Sequence, residues 1–348
     1  MKNKSGRILI TGGGGYIGYV ATKLLANNGF EVKVVDTFYW GREILGDMKK
    51  KIDIVQKDIR DITGRDLKDV DSVVHTAGLS NDPMADFNPK ANLKINHLAT
   101  VRLAKLCKKN GIKKFIFASS ASIYDKGLSG PNIIQSEDSE VVPRAPYSIS
   151  KFMAERKLLK LKDKDFCPVV LRQGTVYGFS PRMRYDLVVN TMLKDALVKG
   201  EIYVYCRGQE WRPLIDVTDI ARAYVAVIKS SDKKINGQIF NLVYKNYNIL
   251  DLAKIIKKVL VAKKITYPKI IVDGQRRRPR SYQISGKKIK KILGWQPEVS
   301  VEDSVRHMLT KIRSGEFTNY NHPRFYNIEW MKLLVSISDT LKKVKRVF

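Results

Sequence analysis

Tyr147-Ser-Ile-Ser-Lys151 sets a phenol and an ammonium four residues apart, which on a helix places both on one face, one turn from each other. A free tyrosine titrates near about 10, and a neighbouring cation lowers the cost of its phenolate, so the pair suits proton removal from an alcohol. Spacing alone is a weak signal, because Tyr19-Val-Ala-Thr-Lys23 repeats it in this lysine-rich chain; that copy follows a glycine run and reads as ordinary helix surface. The first pair is distinguished by Phe117-Ala-Ser-Ser-Ala-Ser-Ile-Tyr124, which precedes it by a loop. At the carboxyl edge of a parallel sheet the hydroxyls of Ser119, Ser120 and Ser122 face the crevice where ligands bind, and one of them can hold the reacting hydroxyl.

A second constellation lies at the other end of the same half-chain. Thr11-Gly-Gly-Gly-Gly-Tyr-Ile-Gly18 follows a β-branched run and opens a helix. Bare backbone there brings N–H groups against a pyrophosphate at a helix N-terminus, where the dipole favours negative charge. Two registers fit, Gly13/Gly15/Gly18 and Gly12/Gly15/Gly18, and spacing does not choose between them. Asp36 ends the next strand 18 residues after Gly18, where a carboxylate accepts both adenosine-ribose hydroxyls and repels a 2′-phosphate. This favours NAD over NADP, with Arg42 as the one feature on the NADP side. Asp58 and Ile59 follow the third strand, where an adenine ring would be hydrogen-bonded and covered.

The elements that must position these groups alternate in the way of a parallel sheet covered on both faces. Strands are predicted at Arg7 to Thr11, Glu31 to Asp36, Ile52 to Gln56, Ser72 to His75, Lys114 to Ser119 and Val169 to Arg172. A helix is predicted over Ala91 to Lys109, stopped by Gly111, and another from Tyr147. Beyond Arg172 the alternation breaks into an irregular Gly174 to Arg184 segment, then short strands at Ile202 to Tyr205, Gln238 to Val243 and Lys269 to Asp273. Helices at Asp186 to Val198, Val217 to Lys229, Leu250 to Leu260, Lys287 to Leu293 and Val301 to Arg313 are mixed with them. The expected fold is α/β: a doubly wound parallel-sheet Rossmann domain at 1–173 carrying the catalytic residues, and a smaller C-terminal α+β substrate domain at 174–314 with late strands returning to the sheet. A C-terminal amphipathic extension at 315–348 completes the chain, and a shared cleft is expected between the two domains.

Composition narrows the field. With 348 residues, 44% of them hydrophobic, the chain has too much apolar material for disorder. No apolar run approaches the roughly 20 residues of a membrane span, and no signal-peptide pattern opens the chain, so a cytoplasmic location is expected. Cys107, Cys167 and Cys206 lie singly, which supports neither a metal site nor a disulfide framework. The net charge of +30 is spread along the whole chain and reads as a lysine-rich background. A nucleic-acid-binding protein with lapsed chemistry is the competing reading. Against it stand the Ser120/Tyr147/Lys151 set and the lack of aromatics among the basic residues Arg276 to Arg280. No nucleic acid is expected as a partner. For a substrate diphosphate the candidates are Arg212 and Arg280, with Asn190 nearby, since guanidinium forks suit phosphate oxygens.

In combination these motifs resemble the extended short-chain dehydrogenases/reductases, specifically the NAD-dependent epimerase/dehydratase group acting on nucleotide sugars. The similarity runs from Arg7 to about Arg313. It includes the glycine loop with Tyr16 and Ile17, Asp36, Asp58-Ile59, His75-Thr-Ala77-Gly78, Asn96, the Ser119 to Tyr124 strand end and Tyr147/Lys151. Further along come Leu171-Arg172, Val176-Tyr-Gly178, Arg212 to Ala221, Phe240-Asn241 and Leu293-Gly-Trp295. The resemblance implies NAD as cofactor, bound by these first-half residues, and a nucleotide-diphosphate sugar as substrate. It gives Ser120 the role of fixing the substrate, Tyr147 that of acid/base, and Lys151 that of binding the nicotinamide ribose. Hydride would leave C4 of the sugar and give a 4-keto intermediate. The 4,6-dehydratases carry Asp-Glu after the serine; here Ala121-Ser122 stands there, and the glutamate typical of the decarboxylases is missing too. A 4-epimerase, UDP-hexose type, is therefore favoured over a dehydrogenase, while Thr175 and Asp216 depart from the epimerase pattern at positions where Asn and His are usual. Ser180 to Asn190 resembles a distinct subgroup. Relatives pair as homodimers through the helices that begin near Ala91 and Tyr147.

In the tail, Met331, Leu334, Ile337, Leu341, Val344 and Phe348 recur at helical spacing beside Lys342, Lys343, Lys345 and Arg346. A helix docked on its own domain or on a dimer partner is expected, with peripheral membrane contact as the alternative.

Overall fold

The computed structural model describes residues 6–125, 133–274, 280–313 and 315–344. Arg276 to Pro279, Lys345, Arg346 and Phe348, singled out above, lie outside the described residues. Short apolar runs such as Arg7-Ile-Leu-Ile-Thr11 and Ser72-Val-Val-His75 are buried on both faces, which is what a parallel sheet under two helical layers demands. That sheet has seven strands. From edge to edge they are Ile239–Leu242, Cys167–Gln173, Lys114–Ser120, Ser72–His75, Arg7–Thr11, Glu31–Asp36 and Asp53–Gln56, every neighbouring pair parallel.

Alternation within a strand feeds two separate cores. Ile8 and Ile10 join Ala21, Leu25, Ile220 and Ala223 of the helices Tyr16–Asn27 and Val217–Lys229. Leu9 faces the other way, with Leu103, Ala154 and Leu158 of the helices Thr100–Lys109 and Pro146–Leu159. Strand order reverses between Arg7–Thr11 and Ser72–His75, so a crevice opens at their carboxyl ends.

Two elements differ from the periodicity reading. The helix expected over Ala91 to Lys109 is built in three pieces, Pro89–Leu93, a π-helical Lys94–Ala99 and Thr100–Lys109. The wider turn carries Asn96, whose side chain bonds the backbone of Leu79 in place of continuing a regular helix face. The segment read as irregular after Gly174 holds a strand, Thr175–Tyr177, which joins Trp211–Asp216 and Lys245–Asn248 in a three-stranded sheet. Glu201–Val204 pairs with Lys269–Val272, and with the helices Val188–Lys199, Ile249–Ala262 and Val301–Ile312 these enclose another core around Leu193, Ile202, Leu214, Ile256 and Met308.

The residues after Gly315 belong to this second core. Phe325 is buried against Tyr185, their ring centroids 5.1 Å apart, and Phe317 lies edge-on to Phe179 at 5.1 Å. The tail helix spans Asn327–Val344 and packs against the Asp82–Phe87 helix, while Leu333, Val335, Ile337 and Leu341 stay exposed. Among the described residues no helix is long and apolar enough to cross a membrane.

A charged network crosses the interior beneath the catalytic strand end. Glu155 and Arg172, 1% and 3% exposed, form an ion pair at 2.8 Å, with Ser119 donating to the carboxylate and Arg172 donating to the Tyr124 hydroxyl at 2.7 Å. Breaking one partner of such a pair strands the other. Glu155→Ala is expected to lower the unfolding free energy by about 3–5 kcal/mol in urea denaturation; a loss below about 1 kcal/mol would mean that solvent reaches Arg172.

Candidate active site

The glycine loop is tight because backbone meets backbone. Gly12 has φ +77°, and a Cβ there would stand 2.6 Å from the Ala77 nitrogen; at Gly18 a Cβ would fall 1.9 Å from the Gly12 carbonyl oxygen. Gly15 caps the Tyr16–Asn27 helix and donates its N–H to that same carbonyl at 3.0 Å. The register left open by spacing is therefore Gly12/Gly15/Gly18. The first N–H groups of the helix have no intrahelical acceptors and face the crevice with the positive end of the helix dipole. Asp36 accepts from Gly14 N–H at 2.9 Å and from Phe38 N–H at 2.7 Å, which fixes its carboxylate at the strand end.

These groups line one cleft of about 1070 Å³, together with Asp58, Ile59, Ala77 and Gly78. Asp58 also caps the short Ile59–Asp61 turn and pairs with Arg60 at 2.7 Å. Asn96 lies beneath the Leu79 loop, donating to Asn92 at 2.7 Å and accepting from Leu79 N–H at 2.8 Å. His75 is buried between Thr11 and Thr100 hydroxyls at 2.6 and 2.8 Å; burial pushes it down to about 3, so it stays neutral and ties two strand ends together.

Ser120, Tyr147 and Lys151 come together beside this cleft. The Ser120 hydroxyl is hydrogen-bonded to the Tyr147 phenol and lies 2.9 Å from that of Ser122. Burial pushes the phenol up to about 12 and Asp82 adds to the rise, while Ser120 and Arg184 oppose it. Lys151 is 4% exposed; its Nζ donates to the Ala118 carbonyl at 2.9 Å and lies 4.8 Å from the Phe117 ring centre. Burial lowers it to about 8, with Glu155 one turn along the helix working the other way. Tyr19 of the second Tyr/Lys spacing packs partly buried on the sheet core and is no neighbour of these groups.

The substrate candidates separate. Thr175 and Arg212 line a second cavity with Tyr203, Tyr205 and Glu210. Arg212 donates to the Arg280 carbonyl, and Arg280 itself is paired with Asp82 at 2.5 Å and Asp125 at 3.0 Å. Asn190 is buried, bonding the Tyr16 hydroxyl at 3.2 Å, Gly178 N–H at 3.1 Å and the Arg184 carbonyl at 2.9 Å, so its amide braces the loop above the glycine helix.

Sequence reasoning passed over several cleft residues. Arg182, Arg184, Trp40, Asn327 and Met331 all line it. The Arg-x-Arg spacing inside Ser180 to Asn190 was a usable signal; nothing in the local sequence marks Asn327.

A bare-backbone loop at a helix N-terminus, a ribose-facing acid and a buried Ser/Tyr/Lys set define an enzyme that works with a bound dinucleotide. The family model "NAD dependent epimerase/dehydratase family" matches residues 8–242, and the chain belongs to that family. Among curated relatives, the UDP-glucuronic acid decarboxylase 1 of Danio rerio is 28% identical over 86% of this chain and 71% of its own length. The putative UDP-glucose 4-epimerase of Methanocaldococcus jannaschii is 27% identical over 89% of this chain and 100% of its own. Among solved structures, the UDP-glucuronic acid 4-epimerase from Bacillus cereus, in complex with UDP-glucuronic acid and NAD, has TM-score 0.74 and 25% identity, covering 88% of this chain and 99% of that one. The chain is an enzyme of nucleotide-sugar metabolism whose cofactor is NAD.

The glycine cradle and Asp36 fit that cofactor: Gly12, Gly15 and Gly18 leave room for its diphosphate and Asp36 faces its adenosine ribose. Replacing Asp36 by alanine is expected to weaken NAD binding at least about tenfold and to shrink the preference over NADP, read by calorimetric titration of both nucleotides. An unchanged ratio of affinities would remove Asp36 from that role.

Proposed function

We propose that this enzyme is a nucleotide-sugar 4-epimerase of the UDP-hexose type, working through a transient 4-keto sugar. The observation that carries the reading is the hydroxyl-only surround of the reacting phenol. Ser120 bonds Tyr147, Ser122 bonds Ser120, and Ala121 is buried, so no carboxylate follows Ser120 on the strand end to drive water loss. The epimerases among the relatives and solved structures support it.

In this reading Ser120 donates to the sugar O4 region and sets its distance from Tyr147. Bound NAD supplies the two-electron acceptor that takes hydride from C4 and gives it back. As the C4–H electron pair departs, Tyr147 accepts the O4 proton and the C4–O bond becomes a carbonyl. The keto sugar turns over, Tyr147 returns its proton to O4, and C4 is restored with inverted configuration. Lys151 holds positive charge behind the phenol, so the phenolate forms more readily than in the cofactor-free protein. Thr175, Arg212, Arg280 and Asn190 are proposed for the nucleotide diphosphate side; for Arg280 this requires exchanging Asp82 and Asp125 for phosphate oxygens.

A homodimer belongs to the same reading. Leu93 and Leu98 on the helical stretch after Pro89, and Ile149 and Met153 on the Pro146–Leu159 helix, are exposed apolar side chains on neighbouring elements. Light scattering should give twice the chain mass, and Leu98→Glu should halve it.

NMR of the purified protein with UDP-, GDP-, CDP- and dTDP-sugars tests the reaction. Inversion at C4 without NADH build-up is expected, whereas oxidised sugar with stoichiometric NADH would make the enzyme a dehydrogenase. Tyr147→Phe should lower turnover about 10²–10⁴-fold. In the cofactor-free protein the phenolate absorbance lost in Tyr147→Phe should appear only toward pH about 12 and should move toward neutrality once NAD is added. A titration indifferent to NAD would separate the phenol from the cofactor site.

A further inference from the structure

The dinucleotide cleft has two lips. One is the loop after Glu31–Asp36, carrying Tyr39 and Trp40; the other is the loop after Ser72–His75, carrying Ser80. They stand on either side of Arg7–Thr11, so a dinucleotide seated on the glycine loop lies between them. The tail segment ties both lips. Trp40 donates its indole N–H to the Arg324 carbonyl at 3.1 Å, and Trp330 donates its own to the Tyr39 carbonyl at 2.7 Å. On the far lip the Asn327 amide donates to the Ser80 hydroxyl at 2.7 Å, and the Asn327 N–H donates to Asp186 at 3.3 Å. Asn327 and Met331 are themselves cleft lining.

Arg182 lies between the two lips. Its guanidinium carbon sits 3.9 Å from the Trp40 ring centre, and its N–H groups donate to the Met183 carbonyl and to the Asn327 side-chain oxygen, both neutral. It is 4% exposed, so a cation is held in the cleft wall with uncharged acceptors, a setting that gains from an anion. The Bacillus cereus epimerase is covered almost completely while part of this chain has no counterpart in the match.

We propose that residues 323–331 form a subsite of the cofactor cleft peculiar to this chain's tail, a strap that closes over NAD and sets Arg182 toward its diphosphate, so that NAD stays bound between turnovers. The strap acts on cofactor release and does not depend on which sugar reacts.

The test compares the full-length protein with Asn327→Ala/Trp330→Ala and with Met331→Ser. The readouts are NAD per chain after gel filtration, the rate at which NAD chases bound etheno-NAD, and the thermal midpoint with and without NAD. Wild type should retain NAD through gel filtration. The double variant should release etheno-NAD at least about tenfold faster, equivalent to about 1.4 kcal/mol, and should gain less thermal stability from NAD. A merely structural strap would lower the midpoint equally with and without NAD and leave the release rate within about twofold, which would overturn the proposal. Rapid NAD loss from wild type would overturn it as well. If the double variant does not fold, Met331→Ser, which removes no hydrogen bond, decides by the same release rate. None of these readouts uses a sugar, so the strap and the epimerase reading fail independently.

Discussion

The site depends on keeping an ammonium charged where water hardly reaches. Lys151 is almost fully buried, and three features hold its charge: the Ala118 carbonyl at 2.9 Å, the Phe117 ring face and the Glu155 carboxylate one helical turn away. Glu155 in turn needs Arg172 and Ser119, and Arg172 needs the Tyr124 hydroxyl, which donates to Asn241 at 2.8 Å. The chain of partners therefore runs from the catalytic helix through two central strands to Ile239–Leu242 at the sheet edge. This is why that late strand returns to the first sheet: without it the last acceptor of the network would be missing.

Strand order supplies the other constraint. Because Ser72–His75 and Glu31–Asp36 flank Arg7–Thr11, the loops that leave them must diverge, and the glycine helix begins in the gap. His75 holds one side of the gap by bonding hydroxyls on two neighbouring elements, and the π-turn around Asn96 holds the loop beyond it. A wider helical turn at this place gives Asn96 reach to both the N–H and the carbonyl of Leu79.

Much of this was legible in the sequence. Six strands of the large sheet are β-branched runs bounded by glycine or acidic turns, and their ends differ from the periodicity reading by no more than two residues, as at Cys167–Gln173. Helix starts with a side-chain cap, such as Asp216 before Val217–Lys229, were equally plain. Trp211–Asp216 escaped notice because Pro213 and two polar residues interrupt its pattern, yet its partner register accommodates the proline. The strap escaped for a different reason. Arg182 meets Asn327 across 145 residues, Asn327 meets Ser80 across 247, and Trp330 meets Tyr39 across 291. Amphipathic spacing predicts that a tail helix docks but carries no information about where, and the exposed Leu333 to Leu341 stripe shows that its most regular apolar face is not the one that docks.

The strap also bears on which reaction suits the molecule. A dehydrogenase that releases oxidised sugar must exchange its reduced cofactor in every cycle, so the bonds from Trp330 to Tyr39 and from Asn327 to Ser80 would have to open each time. An epimerase recovers oxidised NAD within each turnover and has no such need; only the sugar must enter and leave, on the side lined by Arg212 and Arg280. Both linkages join well-packed parts of the fold, since the strap is anchored through Phe325 in the second core while Tyr39 and Trp40 follow directly from a central strand. Closure over the cofactor and openness toward the substrate are thus placed on different loops, which is the arrangement an internally balanced oxidation and reduction requires.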